Sequence, residues 1–168
     1  LDAVRLAGHS CPTVASAYWL TRQALRALYP DVLPERGGVR VAFREPATAG
    51  VTGVIANVVS LLTGVTTDTG FKGLAGRFDR RNLLAFDAHQ PLDLRFTRVD
   101  TGAAVDAVAH LRQVPADPQM APLMQACIKG EASADEARHF GQLWQDRVRR
   151  VLLEHGDDPQ IFLIRPAA

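Results

Sequence analysis

A histidine and a cysteine two residues apart, within the segment RLAGHSCPTVASAY, are the side chains of this chain best suited to chemistry. His9 comes first, Cys11 follows, and Pro12 opens an apolar helical pattern. The N-terminus of a helix attracts negative charge, so it favours the thiolate form of a cysteine placed there. Thiolate and imidazole are ligands that zinc accepts, and a thiolate is also a nucleophile. The spacing alone favours a plain helix start, in which His9 caps the helix or bonds a carbonyl group and Cys11 is a small buried residue.

A loop rich in glycine and threonine, GVTTDTGFKGLAG at 64–76, is the second candidate for chemistry. Its glycines permit a close approach of the backbone to a ligand, and Thr66 and Asp68 supply oxygen atoms. It is not a Walker loop, because it lacks the Lys-Ser/Thr ending and follows an apolar helix instead of preceding one. An anion cradle that uses Lys72 and Arg77 is one interpretation. A plain surface loop is the interpretation that the pattern favours.

Asn57 is the polar residue that interrupts the most apolar segment, GVTGVIANVVSLLTGV at 50–65. The segment is too short and too often interrupted to span a bilayer, so it predicts a buried helix. A buried amide needs a hydrogen-bond partner, and we expect Asn57 to face a pocket. Asn57, Thr66 and Asp68 are therefore the predicted ligand-binding residues.

The elements that must position these residues follow from periodicity and from helix-start and helix-stop signals. A capping box of Ser133 and Glu136 opens the most strongly amphipathic helix, and Gly156 ends it. The order of long helices and few strands predicts an α+β fold, with helices on one face of a mainly antiparallel sheet. The predicted helices are 12–29, 50–63, 101–113, 118–130 and 133–156, and the predicted strands are 39–45, 82–86, 92–99 and 160–166.

The composition predicts one domain that spans 1–168. The 168 residues are 47% hydrophobic and 22% charged, with a net charge of +1 and no run of like charge. This balance gives no argument for a nucleic-acid or membrane partner. The two cysteines, Cys11 and Cys127, are typical of a reducing compartment, so we expect a cytoplasmic protein. A targeting segment lost before Leu1 would escape this argument.

Two segments resemble motifs of a known family. GHSCPTVASAY, at 8–18, is similar to the opening motif of the FmdE-like family, which takes its name from a component of formylmethanofuran dehydrogenase. NVVSLLTGVTTDTGF, at 57–71, resembles the second motif of that family. The segments RFTRVDTG and GEASADEARHFGQLW follow in the expected order, so the resemblance covers most of the chain.

The resemblance implies an α+β core, usually a homodimer, with a metal site or pocket around the first motif. His9 and Cys11 stand where the family's histidine and cysteine stand. Ala7 stands where many members have another histidine, and Asn57 where they have an acidic residue. Cysteines of the second motif are replaced by valines, and the 168 residues contain no cysteine-rich zinc finger after the core.

Three functions remain open from the sequence. The first is a metal-binding domain in which His9 and Cys11 hold zinc or another transition metal, with further ligands such as Asp68, His89 or water. The second is an enzyme that uses Cys11 as a nucleophile and His9 as a base, for which no residue that orients the base is evident. The third is a metal-free module that binds a small molecule or acts as a scaffold, with Asn57 and the Thr66–Gly70 loop lining a pocket at a dimer interface.

Overall fold

Five helices and one sheet make up the regular structure of the computed structural model, which describes residues 1–167. Helix α1 is short and lies ahead of the His9–Cys11 segment, and a 3₁₀ turn at 111–113 and a π-helical turn at 150–154 add to the five helices. The helices are α1 (Asp2–Ala7), α2 (Pro12–Leu28), α3 (Thr52–Thr63), α4 (Met120–Lys129) and α5 (Ala134–Arg149).

Five strands form one sheet in the order β2-β1-β3-β4-β5. Only β1 and β2 run parallel, and every other neighbouring pair is antiparallel. Helix α3 connects the two parallel strands, so this part of the chain is a βαβ crossover. The strands are β1 (Val39–Phe43), β2 (Leu84–Ala85), β3 (Leu94–Arg98), β4 (Ala104–Ala109) and β5 (Phe162–Pro166).

The main core lies between one face of this sheet and helix α2. Strand residues that share this face include Val41 and Phe96, which are paired across β1 and β3 and are fully buried. Ala24 of α2 packs in the same cluster and is also fully buried. Helix α2 contacts β3, β4 and β5, and α3 packs beside α2. The predicted α+β fold, with helices packed on a mainly antiparallel sheet, is confirmed.

The predicted helix at 101–113 is wrong. This segment forms a hairpin turn at Gly102, where φ is 74°, then strand β4, and then the 3₁₀ turn. Its alanines give it a helical composition, but pairing with two neighbouring strands outweighs local propensity in a central strand. Residues 105–108 are all buried, which hides the alternation that reveals a strand with one solvated face.

The other predicted elements are confirmed with shifted bounds. Helix α5 begins with the predicted capping box, since the backbone N–H of Glu136 donates to Ser133 Oγ at 3.3 Å, and that of Ser133 donates to Glu136 Oε2 at 2.8 Å. The predicted strand 82–86 is reduced to Leu84–Ala85 at the sheet edge. Among the described residues no helix is long and apolar enough to cross a membrane.

Candidate functional site

Cys11 is the N-cap residue of α2, as the sequence predicts, but its side chain is buried. The residue is 6% exposed, and its thiol accepts a hydrogen bond from the backbone N–H of Val14, with a distance of 3.4 Å between Sγ and N. It packs in a small second core together with Ala3 of α1 and Val58 of α3. The side chain therefore both caps α2 and holds α1 against the two longer helices.

His9 lies on the surface just ahead of Cys11. Its Nδ1 is 3.0 Å from the carbonyl oxygen of Ala7, so the imidazole bonds a carbonyl at the end of α1. The structure thus contains both features of a plain helix start: a histidine bonded to a carbonyl and a buried cysteine.

Within residues 1–167, His9 and Cys11 do not belong to a larger group of metal-ligating side chains. Structural zinc sites use four protein ligands and catalytic sites use three. Residues 1–167 contain no group of three or more histidine, cysteine, aspartate or glutamate side chains placed to hold a metal ion. His9 and Cys11 would therefore need ligands from outside the chain.

The three predicted ligand-binding residues lie on helix α3 and in the loop that follows it. Asn57 is exposed on α3, so the expectation that it is buried is wrong: it occupies the solvent side of an apolar helix. Thr66 donates from Oγ1 to the carbonyl oxygen of Arg80 at 2.9 Å, which fixes the loop. Asp68 is exposed and accepts from Thr67 Oγ1 at 3.1 Å.

A cavity of about 290 Å³ lies where α2 and α3 meet one end of the sheet. Its walls come from the first two turns of α2, the start of α3, the carboxyl end of β1 and the amino end of β3. The apolar part of the lining includes Leu20, Phe43, Ile55, Leu94 and Leu111. The volume is near the lower end of the range of small-molecule sites.

Three residues that carry hydroxyl groups line the cavity: Thr13 and Ser16 of α2, and Thr52 of α3. Ser16 is 3% exposed, and its Oγ donates to the carbonyl oxygen of Thr13 at 2.9 Å. We call this cavity, defined by Thr13, Ser16 and Thr52, the hydroxyl cavity.

Thr52 has a hydroxyl that, like that of Thr13, makes no hydrogen bond within residues 1–167. The residue is 8% exposed, and its backbone N–H donates to Ala49 O at 3.0 Å. Its hydroxyl makes no hydrogen bond to any residue of 1–167, yet it is not among the fully sealed atoms without a partner. The hydroxyl therefore keeps some access to solvent and is open to a hydrogen-bond partner from outside the protein. Since Thr52 lines the cavity, a ligand there would supply that partner.

The charged side chains of the cavity stand at its mouth. Arg44 donates from Nη2 to Asp93 Oδ1 at 2.6 Å, and its Nε lies 3.6 Å from Glu45 Oε1. These side chains are between 43% and 55% exposed, so their charges are largely hydrated. The interior of the cavity is consequently apolar with hydroxyl groups and contains no ionised side chain.

The sequence contains one signal for this cavity. Thr13, Ser16 and Leu20 are spaced as i, i+3 and i+7, which places them on one face of the helix that begins at Pro12. The contributions of β1, β3 and α3 cannot be found from spacing, because the sheet order that brings them to α2 is not local.

A second depression, the charged groove, surrounds the loop after α2. Its apolar floor contains Val32, Leu33 and Val99, which are 60%, 95% and 51% exposed. Three arginines and three carboxylates line it as well: Arg36, Arg77, Arg98, Glu35, Asp79 and Asp100.

Two carboxylates of the charged groove are strongly acidic. Side-chain hydrogen bonds from Arg81 lower the pKa of Asp79 to about 2, and those from Arg98 lower the pKa of Asp100 to about 2. Burial raises the pKa of Tyr29, the tyrosine beside them. The groove therefore presents fixed charges of both signs at neutral pH.

Comparison of the chain with models of known protein families and with curated proteins found no match.

Proposed function

We propose that this chain is a small-molecule-binding domain whose ligand occupies the hydroxyl cavity. The observation that supports this proposal is Thr52, a nearly buried residue that lines the cavity and whose hydroxyl has no protein partner within residues 1–167. A hydroxyl can donate to an oxygen atom of a ligand, and the surrounding leucine, isoleucine and phenylalanine side chains favour an apolar body.

The expected ligand is uncharged within the cavity. Moving an ionised group into apolar surroundings is costly unless a charged partner compensates for it. Arg44 is already paired with Asp93 at the mouth, so neither side chain is available to pair with a charged ligand group inside the cavity. The class of ligand is therefore a small, mainly apolar molecule with one hydrogen-bond acceptor, such as a ketone or an alcohol.

The position of the cavity supports the same proposal. It lies at the carboxyl end of β1 and the start of α3, and α2 and β3 complete its walls. In open α/β sheets, ligands bind outside the carboxyl ends of parallel strands, because the loops and helix starts there diverge and leave a crevice.

The test compares three probes with one carbon frame: cyclohexanone, cyclohexanol and cyclohexanecarboxylate. We expect the ketone and the alcohol to bind and to raise the melting temperature, and the carboxylate to bind more weakly than either. Thr52→Val removes the hydroxyl at almost constant shape, and we expect it to weaken ketone binding about five- to tenfold. Titration calorimetry measures the dissociation constants.

Two controls make this test specific. Thr67→Val changes an exposed threonine of another loop, and ketone binding should be unaffected. Ala109→Leu adds bulk to the cavity wall and should abolish binding while the protein stays folded. The proposal fails if none of the probes binds, or if Thr52→Val and Ala109→Leu bind the ketone as tightly as the unaltered protein.

A metal at His9 and Cys11, a nucleophilic role for Cys11 and membership of the FmdE-like family stay predictions of the sequence. A second copy of the chain as a partner is a further proposal, for which the charged groove is the favoured contact. The groove combines exposed apolar side chains with arginines and carboxylates, so a second copy of the chain can offer it both an apolar surface and charges of opposite sign.

We expect Leu33→Glu to prevent self-association, because it places a charge on the most exposed apolar residue of the groove. Sedimentation velocity at several concentrations should show a dimer for the unaltered protein and a monomer for this variant. Leu153→Glu is the matched control, since Leu153 is 75% exposed and lies outside the groove, and it should remain dimeric. A monomeric unaltered protein, or a dimeric Leu33→Glu variant, would contradict the proposal.

A further inference from the structure

Arg80, at the end of the glycine–threonine loop, lies in a slot formed by two glycines. A β-carbon placed on Gly37 would be 3.2 Å from Cγ of Arg80, and one placed on Gly64 would be 3.2 Å from its Cδ. Both glycines have positive φ, of 83° and 80°, so the backbone there is already one that favours glycine. The arginine stem is thus held by close backbone surfaces of the segment before β1 and of the end of α3.

The guanidinium group of Arg80 is held in place without a counter-ion. It lies 5.2 Å from the centre of the Phe71 ring. Its Nε is the one fully buried side-chain nitrogen or oxygen atom within residues 1–167 that has no hydrogen-bond partner. Other arginines of the sheet and loops have carboxylate partners, such as Arg81 with Asp79 at 2.7 Å and Arg95 with Asp106 at 2.7 Å.

The remaining donors of Arg80 are open to a ligand. Its Nη atoms make no hydrogen bond within the part of the chain that the structure describes, and only Nε is sealed from solvent. A half-buried guanidinium with unused Nη donors has the geometry that binds two oxygen atoms of one anion. Unsatisfied buried donors in proteins generally mark a bound water, ion or ligand.

Arg80 forms no ion pair within residues 1–167, and a second arginine lies nearby. Arg36 packs against the same glycine, since its Cβ is 3.3 Å from a β-carbon placed on Gly64, and its Nη1 donates to Leu61 O at 2.8 Å. This hydrogen bond to the end of α3 explains the position of the Arg36 side chain. The Arg80 side chain has no such bond. Lys72 of the same loop is exposed and forms no ion pair within residues 1–167.

We propose that Arg80 binds an oxyanion, a phosphate or a carboxylate group, at the surface between Phe71 and Arg36. The planar guanidinium supplies two N–H donors, and Arg36 adds a second positive charge. This site is separate from the hydroxyl cavity, whose lining includes neither arginine, and it does not depend on the ligand proposed there.

The test measures binding of inorganic phosphate and of acetate, each against chloride at equal ionic strength, by titration calorimetry and by melting temperature. We expect at least one of the two anions to bind the unaltered protein. Its dissociation constant should be at least tenfold higher for Arg80→Met, which keeps the stem in the glycine slot and removes the guanidinium. Lys72→Met removes one charge from the same loop and should change the dissociation constant less than twofold.

Two further measurements separate binding from stability. Without added anion, Arg80→Met should melt no lower than the unaltered protein, because it removes an unsatisfied buried donor. Arg80→Lys keeps the charge and loses the planar fork, so it should bind the anion at least threefold more weakly. The proposal is overturned if neither anion acts differently from chloride, if Arg80→Met and Lys72→Met weaken binding equally, or if Arg80→Lys binds unchanged. Binding of acetate alone identifies a carboxylate, and binding of phosphate alone a phosphoryl group.

Discussion

Asp106→Ala is expected to lower the free energy of unfolding by about 2–3 kcal/mol. Asp106 lies on the central strand β4, and its side chain is 2% exposed. Arg95 of β3 is its register partner and donates to it twice, from Nε at 2.7 Å and from Nη2 at 3.1 Å. The loss should not be larger, because the Arg95 side chain is 29% exposed and can turn to water when its partner is removed.

Substitution of the other partner, Arg95, is expected to lower the free energy of unfolding further. Arg95→Met leaves a carboxylate that is almost fully buried and has lost its two charged donors, and an unpaired buried charge is the costlier half of such a pair. The double variant should lose less than the sum of the two single variants, by about 2 kcal/mol of coupling. Urea unfolding at neutral pH measures all four proteins.

Arg98 and Asp100 form the matched control for this pair. Their bonds are equally short, 2.9 Å and 2.6 Å, but the Asp100 side chain is 60% exposed. Water screens and replaces such a pair, so Asp100→Ala should have a much smaller effect than Asp106→Ala. Similar losses for the two alanine variants would show that burial does not determine the contribution of these ion pairs.

The fold is predictable wherever the signal is local. Helix α2 begins with a proline at its first position, α5 begins with a capping box, and β1 alternates between buried and exposed side chains. Strand β4 is not predicted because both of its faces are buried. In the sequence alone, Asp106 therefore resembles a solvent-facing residue of a helix. Its partner on β3 is set by the hairpin register, which the composition of the segment does not reveal.

The candidate site is predictable only in part. The sequence places Cys11 correctly at the start of α2, but the same side chain is buried against α1, an element that the periodicity does not predict. Thr52 cannot be identified from the sequence. Its hydroxyl is of interest because it has no hydrogen-bond partner, and this is known only once the surrounding helices and strands are in place. Arg80 cannot be identified from the sequence for the same reason, because the two glycines that surround its side chain come from segments far apart in the sequence.

Gly156→Ala is expected to destabilise the protein by about 2–3 kcal/mol through overpacking. Gly156 is buried, and a β-carbon on it would lie 2.5 Å from Cε2 and 2.6 Å from Cζ2 of Trp19. The indole is fixed, since its Nε1 donates to the carbonyl oxygen of Leu152 at 2.9 Å and Arg22 stacks on its ring at 4.3 Å. The new methyl group must therefore displace the segment after α5 or the α2 helix itself.

Gly141→Ala is the control with the opposite sign. Gly141 lies inside α5, and a β-carbon there would meet no atom within 4 Å. Alanine in an unobstructed helix interior should raise the free energy of unfolding by about 0.5–1 kcal/mol. Urea unfolding of both variants measures this contrast, and a loss of equal size in the two would contradict the steric argument.

The Gly156 variant also reports on the hydroxyl cavity. Trp19 belongs to α2, the helix that carries Thr13 and Ser16, so a displacement of the indole moves the cavity wall. Ketone binding should therefore weaken in Gly156→Ala at temperatures where the variant is still folded, and it should be unchanged in Gly141→Ala. If the Gly156→Ala protein is destabilised but folded and binds the ketone unchanged, the C-terminal segment has moved to make room for the methyl group. The sheet alone would then hold α2 in position.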